Sequence, residues 1–250
     1  AIANAARLLR PGGRLVTLDN AWIDRQSWIA RMLIARDRGR NVRRPEGYRA
    51  IVIGSTGAIG SAFLAHLQAD PRCALAVGLG RRTSPAVDLD DEATIANAAQ
   101  QLKAQGPWHC IIHAAGLLHG PNGMPEKRLG QLNYAQMEAT FRTNTFGPAL
   151  VLAHFAPLLP KQGRGLLAVL SAKVGSIGDN RLGGWYSYRA SKAALNMLVK
   201  TAAIAVARSN PQAVLAGSLN FATGGGSSTM SALFDAEARL GLASLSDVQT

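Results

Sequence analysis

The tract Ser187-Tyr188-Arg189-Ala190-Ser191-Lys192 sets a phenol four places before an ammonium. Residues four apart share one face of a helix, so the two side chains can meet. A free phenol titrates at about 10, too high for efficient proton exchange at neutral pH, and a nearby cation stabilises the phenolate. The pair is therefore a candidate for acid–base chemistry. The same spacing also arises from composition alone, and the surrounding chain has to supply the rest of a site.

A second constellation lies upstream. Ile51-Val52-Ile53-Gly54-Ser55-Thr56-Gly57-Ala58-Ile59-Gly60 places three glycines where an apolar run gives way to a helical pattern. Such glycines allow a tight turn, close approach of the backbone to a pyrophosphate and close packing of helix on strand. The helix N-terminus then favours an anion. An ordinary turn would also use glycine, and it is the position between strand and helix that favours a nucleotide. Gly54, Ser55, Thr56, Gly57, Ile59 and Gly60 are the candidates. After the next apolar run comes Gly80-Arg81-Arg82, where an acid would suit the ribose of NAD and arginine suits the 2′-phosphate of NADP. Arg81 and Arg82 thus favour NADP, with NAD as the alternative and two surface arginines as the plain reading. Asp88 and Leu89 fall where a short third strand would end and an adenine could be contacted. Asp90 and Asp91 also suit the start of a helix.

These residues need a scaffold, and the apolar pattern provides one. Strands are expected at 50–54, 74–79, 109–113, 165–171 and 214–219. Helices are expected at 57–68, 92–103, 134–156 and 186–208. Apolar runs without alternation suit parallel strands covered on both faces, so the fold class is α/β, a Rossmann-type doubly wound parallel sheet. Turn-forming residues at Pro45 to Tyr48 place a boundary there, dividing 1–47 from 48–250.

From about residue 50 to 220 the chain resembles the short-chain dehydrogenase/reductase family. The resemblance rests on Gly54/Gly57/Gly60, His113-Ala114-Ala115-Gly116, Asn144 and Tyr188/Lys192. The tract from Gly175 to Arg189 is especially similar to the C-factor or C-signal-like branch. The resemblance implies hydride transfer between NADP and a small carbonyl or alcohol. Tyr188 would exchange the proton, Lys192 would tune Tyr188 and bind the nicotinamide ribose, and Asn144 would hold a relay water. Ala114, Ala115 and Gly116 would line the cofactor. The catalytic serine of the pattern falls on Ala172, with Ser171 beside it and Ser176 close by. Ser171 is the candidate, although a buried strand-end serine or a loop-capping Ser176 would explain both equally. After the last expected strand the chain departs from the pattern, with Thr223 near the usual threonine and a Gly224 to Ser228 loop, so truncation at the C-terminal end stands as an alternative. The helices at 134–156 and 186–208 are similar to those that pair subunits in the family, which implies a homodimer or homotetramer.

Residues 1–47 read as a helix-strand-helix fragment and linker. Their Pro11-Gly12-Gly13 turn before an apolar strand resembles the late part of a class I S-adenosylmethionine-dependent methyltransferase. The net charge of +12 is concentrated there, with eleven arginines against four acids in residues 1–49. Few aromatics interleave with those charges, which favours a solvated helix face over nucleic acid. Two cysteines and no Cys/His cluster argue against a disulfide framework or a metal site. No apolar run approaches the roughly 20 residues of a membrane span, and a reducing, cytoplasmic setting is expected. Two further readings remain beside the oxidoreductase: an NADP-binding sensor or signalling module, and an inactive methyltransferase–dehydrogenase fusion fragment.

Overall fold

The computed structural model describes residues 47–119 and 123–217. The helix-strand-helix fragment expected before residue 47, Ser218 and Leu219 of the fifth expected strand, Thr223 and the Gly224 to Ser228 loop lie outside the described residues. Within them run β1 (Tyr48–Ile53), α1 (Ala58–Ala69), β2 (Cys73–Leu79), α2 (Glu92–Lys103) and β3 (Cys110–His113). There follow α3 (Tyr134–Phe141), a π-helical turn at Arg142–Phe146, α4 (Gly147–Phe155), β4 (Gly165–Val169), α5 (Tyr186–Ser209) and β5 (Ala213–Gly217).

All five strands are parallel, in the order β2-β1-β3-β4-β5. Alternation decides which face each side chain takes. Ala50 and Val52 face one way and pack with Phe63 and Leu67 of α1. Ile51, Ile53, Ile111 and Leu167 face the other way and pack with Ile95 and Leu102 of α2, Val151 and Phe155 of α4, and Leu195 and Val199 of α5. A large apolar side chain buried in this way stabilises the fold by about 1.5–3 kcal/mol. Both faces of β1 are thus covered, as a doubly wound sheet requires.

Register brings the strand ends together. Ile53 sits opposite Leu79 on one side and His113 on the other, and His113 sits opposite Val169. From β1 the chain goes to β2 on one flank and then crosses to β3 on the other. The carboxyl ends of β1 and β3 therefore flank the crevice where doubly wound sheets bind ligands.

Two sequence expectations are corrected. No third strand ends at Asp88 among the described residues, and β2 is the edge of the sheet. Pro85 has no N–H to give a ladder, and the neighbouring groups are satisfied locally. The Thr83 hydroxyl bonds Gly80 and Pro85, and the Val87 N–H donates to the Gly80 carbonyl at 3.0 Å. The single helix expected over 134–156 is instead α3 and α4 joined by the π turn. Pro148 lacks the N–H that would serve the Asn144 carbonyl one turn back. By length and composition α5 could cross a membrane. In this fold it lies along β5 and β4, with Ser187, Ser191 and Lys192 buried.

Candidate active site

The turn after β1 is pinned to the end of β2. Gly54 N–H and Ser55 N–H donate to the Leu79 carbonyl at 2.8 and 3.1 Å, and the Ser55 hydroxyl donates to the same oxygen. Gly54 has φ +83°, and a Cβ there would lie 2.7 Å from the Ala115 nitrogen. A Cβ on Gly60 would lie 2.2 Å from the Gly54 carbonyl oxygen. Only glycine lets the three backbones approach so closely. The N-terminus of α1 carries no side-chain cap and no acid in its first turn. Its free N–H groups are therefore left to whatever occupies the crevice.

That crevice is a cleft of about 800 Å³ at the β1/β3 switch point. Of the cofactor candidates, Gly54, Thr56, Gly57, Arg81, Asp88, Leu89, Ala114, Ala115 and Gly116 line it. Ser55, Ile59, Gly60, Arg82, Tyr188 and Lys192 are not part of the lining. Ser55 and Gly60 shape the turn from behind, while Ile59 and Arg82 are solvent-exposed. Asp91, at the start of α2, caps that helix by accepting from Ala93 N–H. The cleft also takes in Gly80, Leu117 and one face of α3 with the turn after it: Ala135, Glu138, Ala139 and Arg142. Their spacing of three and four is a helical stripe that the sequence displays. Nothing in the sequence says which way that stripe points.

Asn144 is fully buried in the π turn. Its amide bridges Leu117, accepting from the N–H and donating to the carbonyl, both at 2.7 Å, and it also donates to the Ser191 hydroxyl at 3.3 Å. The side chain thus holds the turn that follows β3. Pro148 has no N–H to offer the Asn144 main-chain carbonyl one turn back.

α5 brings Tyr188 and Lys192 to the same place. The Lys192 amine is 5.8 Å from the centre of the Tyr188 ring and donates to the Leu170 carbonyl at 3.0 Å. A Cβ on Gly116, which lines the cleft, would come within 3.5 Å of that amine, so the ammonium lies next to the cleft wall without lining it. Lys192 is 3% exposed, and burial brings its pKa down to about 8. Burial pushes the Tyr188 phenol up, against the lowering expected from the ammonium.

His113 occupies the end of β3 fully buried, with neither ring nitrogen hydrogen-bonded. Burial, with the Lys192 charge adding to it, lowers its pKa to about 4, so the imidazole is neutral. Ser171, the serine candidate, is buried and donates its hydroxyl to Asn196 of α5 at 2.6 Å. Ser176 is exposed just beyond the turn at Lys173–Gly175. One residue that shapes the site had no sequence signal: Glu126, whose buried carboxylate meets Ser187 at the start of α5. Its partner is too distant in the chain for any local pattern to disclose.

The model of a family described as short chain dehydrogenase matches residues 46–220. The chain is 32% identical over 120 residues to a 1-hydroxy-2-glutathionyl-2-methyl-3-butene dehydrogenase of a Rhodococcus species, a match that covers 48% of this chain and 50% of that one. It is 38% identical over 96 residues to the C-signal protein of Myxococcus xanthus, covering 38% of this chain and 55% of that one. The chain thus spans about half the length of these curated relatives. Among solved structures, NADPH-bound carbonyl reductase from chicken fatty liver superimposes with a TM-score of 0.59 at 20% identity, over 69% of this chain and 75% of that one. The methyltransferase resemblance of residues 1–47 is not shown by these matches.

Proposed function

The chain belongs to the short chain dehydrogenase family, and from that premise we propose that it is an NADP-dependent oxidoreductase interconverting a carbonyl and an alcohol. One observation carries the reading. Tyr188 and a buried Lys192 share one face of α5, with the amine next to Gly116, a residue that lines the cleft whose other end is an uncapped helix N-terminus behind a glycine turn.

A nicotinamide nucleotide, when bound, supplies or accepts the hydride. The turn from Gly54 to Gly60 and the first N–H groups of α1 would hold its pyrophosphate. Arg81, with Arg82 beside it, would take the 2′-phosphate. Asp88 and Leu89 would face the adenine, and Ala114, Ala115 and Gly116 would line the path between. In the reducing direction Tyr188 donates its phenolic proton to the carbonyl oxygen, and in the oxidising direction it takes the proton from the alcohol. Lys192 would favour the phenolate by its charge and would bind the nicotinamide ribose. A water on the Asn144 carbonyl refills the proton. Ser171 could polarise the substrate carbonyl only after leaving Asn196. That engagement, with Ala172 beside it, is the observation on the side of a sensor that binds NADP without turnover.

Two further features belong to this reading. Phe146, Met197 and Ile204 expose large apolar side chains on the π turn and α5, which suits pairing of two copies there and predicts a dimer or tetramer by sedimentation. Among the described residues Cys73 and Cys110 form no disulfide, and a reducing cytoplasm is the setting of this reading. The test of function is titration with NADPH and NADH followed by an NADPH-oxidation screen over aldehydes and ketones. Turnover that is lost in Tyr188→Phe with NADPH binding kept supports the enzyme. Binding without turnover supports the sensor.

A further inference from the structure

The helices that frame the cleft begin in different ways. Asp91 caps α2 and Asn133 caps α3, each by accepting a backbone N–H of its own helix. Trp185, which precedes α5, offers no side-chain cap. The cap comes from elsewhere in the chain. Glu126, in the segment between β3 and α3, accepts from Ser187 N–H at 3.2 Å and from the Ser187 hydroxyl, and its main-chain carbonyl accepts from Trp185 N–H at 2.5 Å. Glu126 and Ser187 are 3% and 1% exposed, so the carboxylate is committed to this junction rather than to solvent.

The backbone at that junction is unusual. Gly183, Gly184 and Trp185 have φ of 63°, 65° and 53°, three left-handed residues in succession, and Trp185 is the one non-glycine among the described residues with positive φ. An L-residue adopts that conformation at a cost and keeps it when its surroundings hold it there. The backbone bond from Trp185 to Glu126 and the two bonds of the carboxylate to Ser187 hold it from across the loop, while Arg189 donates to the Gly184 and Trp185 carbonyls and Gly183 N–H to Asn180 from nearby. As a result, the indole packs edge-on against the Tyr188 ring, with centres 6.2 Å apart and planes at 79°. The Lys192 amine approaches the same ring at 5.8 Å.

We infer that Glu126 is the positioning residue for Tyr188: by capping α5 from across the loop it keeps Trp185 in the left-handed turn that braces the phenol ring. The inference rests on the reading of Tyr188 as the proton-transfer group. It assigns to Glu126 no contact with substrate or cofactor. Its action runs through Ser187 and Trp185 to the ring.

The test labels the protein with 3-fluorotyrosine. The chain has four tyrosines, and the Tyr188 fluorine resonance is identified by its loss in Tyr188→Phe, while Tyr48 in β1 reports on the fold. In Glu126→Ala the Tyr188 resonance shifts and broadens and that of Tyr48 stays. For a carbonyl that the wild type reduces, kcat falls about 100-fold while the Kd for NADPH stays within about twofold, as expected when a reacting group is misplaced with the nucleotide site intact. Glu126→Gln, which keeps an acceptor for Ser187 N–H, restores most of both. An unmoved Tyr188 resonance, or an unchanged kcat despite a moved one, overturns the inference. If Glu126→Ala does not fold, Ser187→Ala decides, since it removes the hydroxyl that meets the carboxylate and leaves the indole in place. It moves the Tyr188 resonance if the inference holds and leaves it in place if not. Should the wild type reduce no carbonyl, the oxidoreductase reading fails on its own, and the fluorine spectra still decide whether Glu126 holds Tyr188.

Discussion

Gly60→Ala separates the architecture of the nucleotide turn from its chemistry. The new Cβ would sit 2.2 Å from the Gly54 carbonyl oxygen, more than an ångström inside ordinary contact, and 2.8 Å from its carbon. Both atoms are backbone, pinned through Gly54 and Ser55 to the end of β2, so no side chain can turn aside. α1 must retreat instead. Overpacking of this kind costs about 1–3 kcal/mol, and the rigid partner puts Gly60→Ala near 3 kcal/mol. Moving the helix N-terminus away from the cleft also removes a charge-assisted hydrogen bond of about 1.5–3 kcal/mol, which weakens NADPH binding about tenfold to a hundredfold. Gly57→Ala is the matched control. Its Cβ would meet the Gly54 oxygen at an ordinary 3.5 Å, so its stability cost stays under about 1 kcal/mol, the preference for glycine over alanine at a helix N-cap. Its methyl group still enters the cleft lining and weakens NADPH. Urea unfolding followed by circular dichroism, with NADPH titration by fluorescence, reads both quantities. A Gly60→Ala protein as stable as Gly57→Ala would refute the packing argument.

Three further outcomes follow from the site. Burial lowers the Lys192 pKa from 10.5 to about 8, so between those values the unfolded chain holds a proton that the folded one has shed. Wild-type stability therefore rises by about 3 kcal/mol across that window. Lys192→Met loses that slope, is the more stable protein at neutral pH and turns over nothing, as urea unfolding over a pH series and a rate assay would show. His113 is held down at about 4 from 6.5. As pH falls from 6.5 to 4 the unfolded chain takes up the proton first, stability drains away by about 3 kcal/mol, and His113→Asn flattens this part of the acid unfolding curve. Arg81→Ala weakens NADPH about tenfold and leaves NADH within about twofold, since it removes one charge-assisted partner of a 2′-phosphate that NADH lacks; equal losses for both nucleotides would count against NADP selectivity.

What could be read from the sequence followed how local the causes were. α2 was legible from end to end because Asp91 caps it, Ile95, Ala98, Ala99 and Leu102 line one face, and Lys103 closes it. The core of β1 was legible from its apolar run. Its start was not, because Arg49 reads as polar although its guanidinium reaches out to the Gln105 and Gly106 carbonyls. The glycine turn and the Tyr188/Lys192 spacing were legible for the same reason: each is written within ten residues. The missing strand before Asp88 depended on Pro85 and the Thr83 hydroxyl outcompeting a sheet edge. The π turn depended on what Asn144 and Thr145 could bond across to Leu117, Ser191 and the Ser191 carbonyl. Ser171 illustrates the limit most plainly. Its type and place suggested chemistry, and only the fold shows the hydroxyl committed to Asn196.

The most direct test of the account follows the hydride itself, using NADPH deuterated at the transferable C4 position with a carbonyl substrate found by the oxidation screen. The account predicts deuterium on the carbinol carbon of the product formed by the wild type, and a rate lower by about 100-fold or more in Tyr188→Phe, with NADPH binding kept. NADPH binding with no deuterium transferred, or transfer by Tyr188→Phe at the wild-type rate, would contradict it.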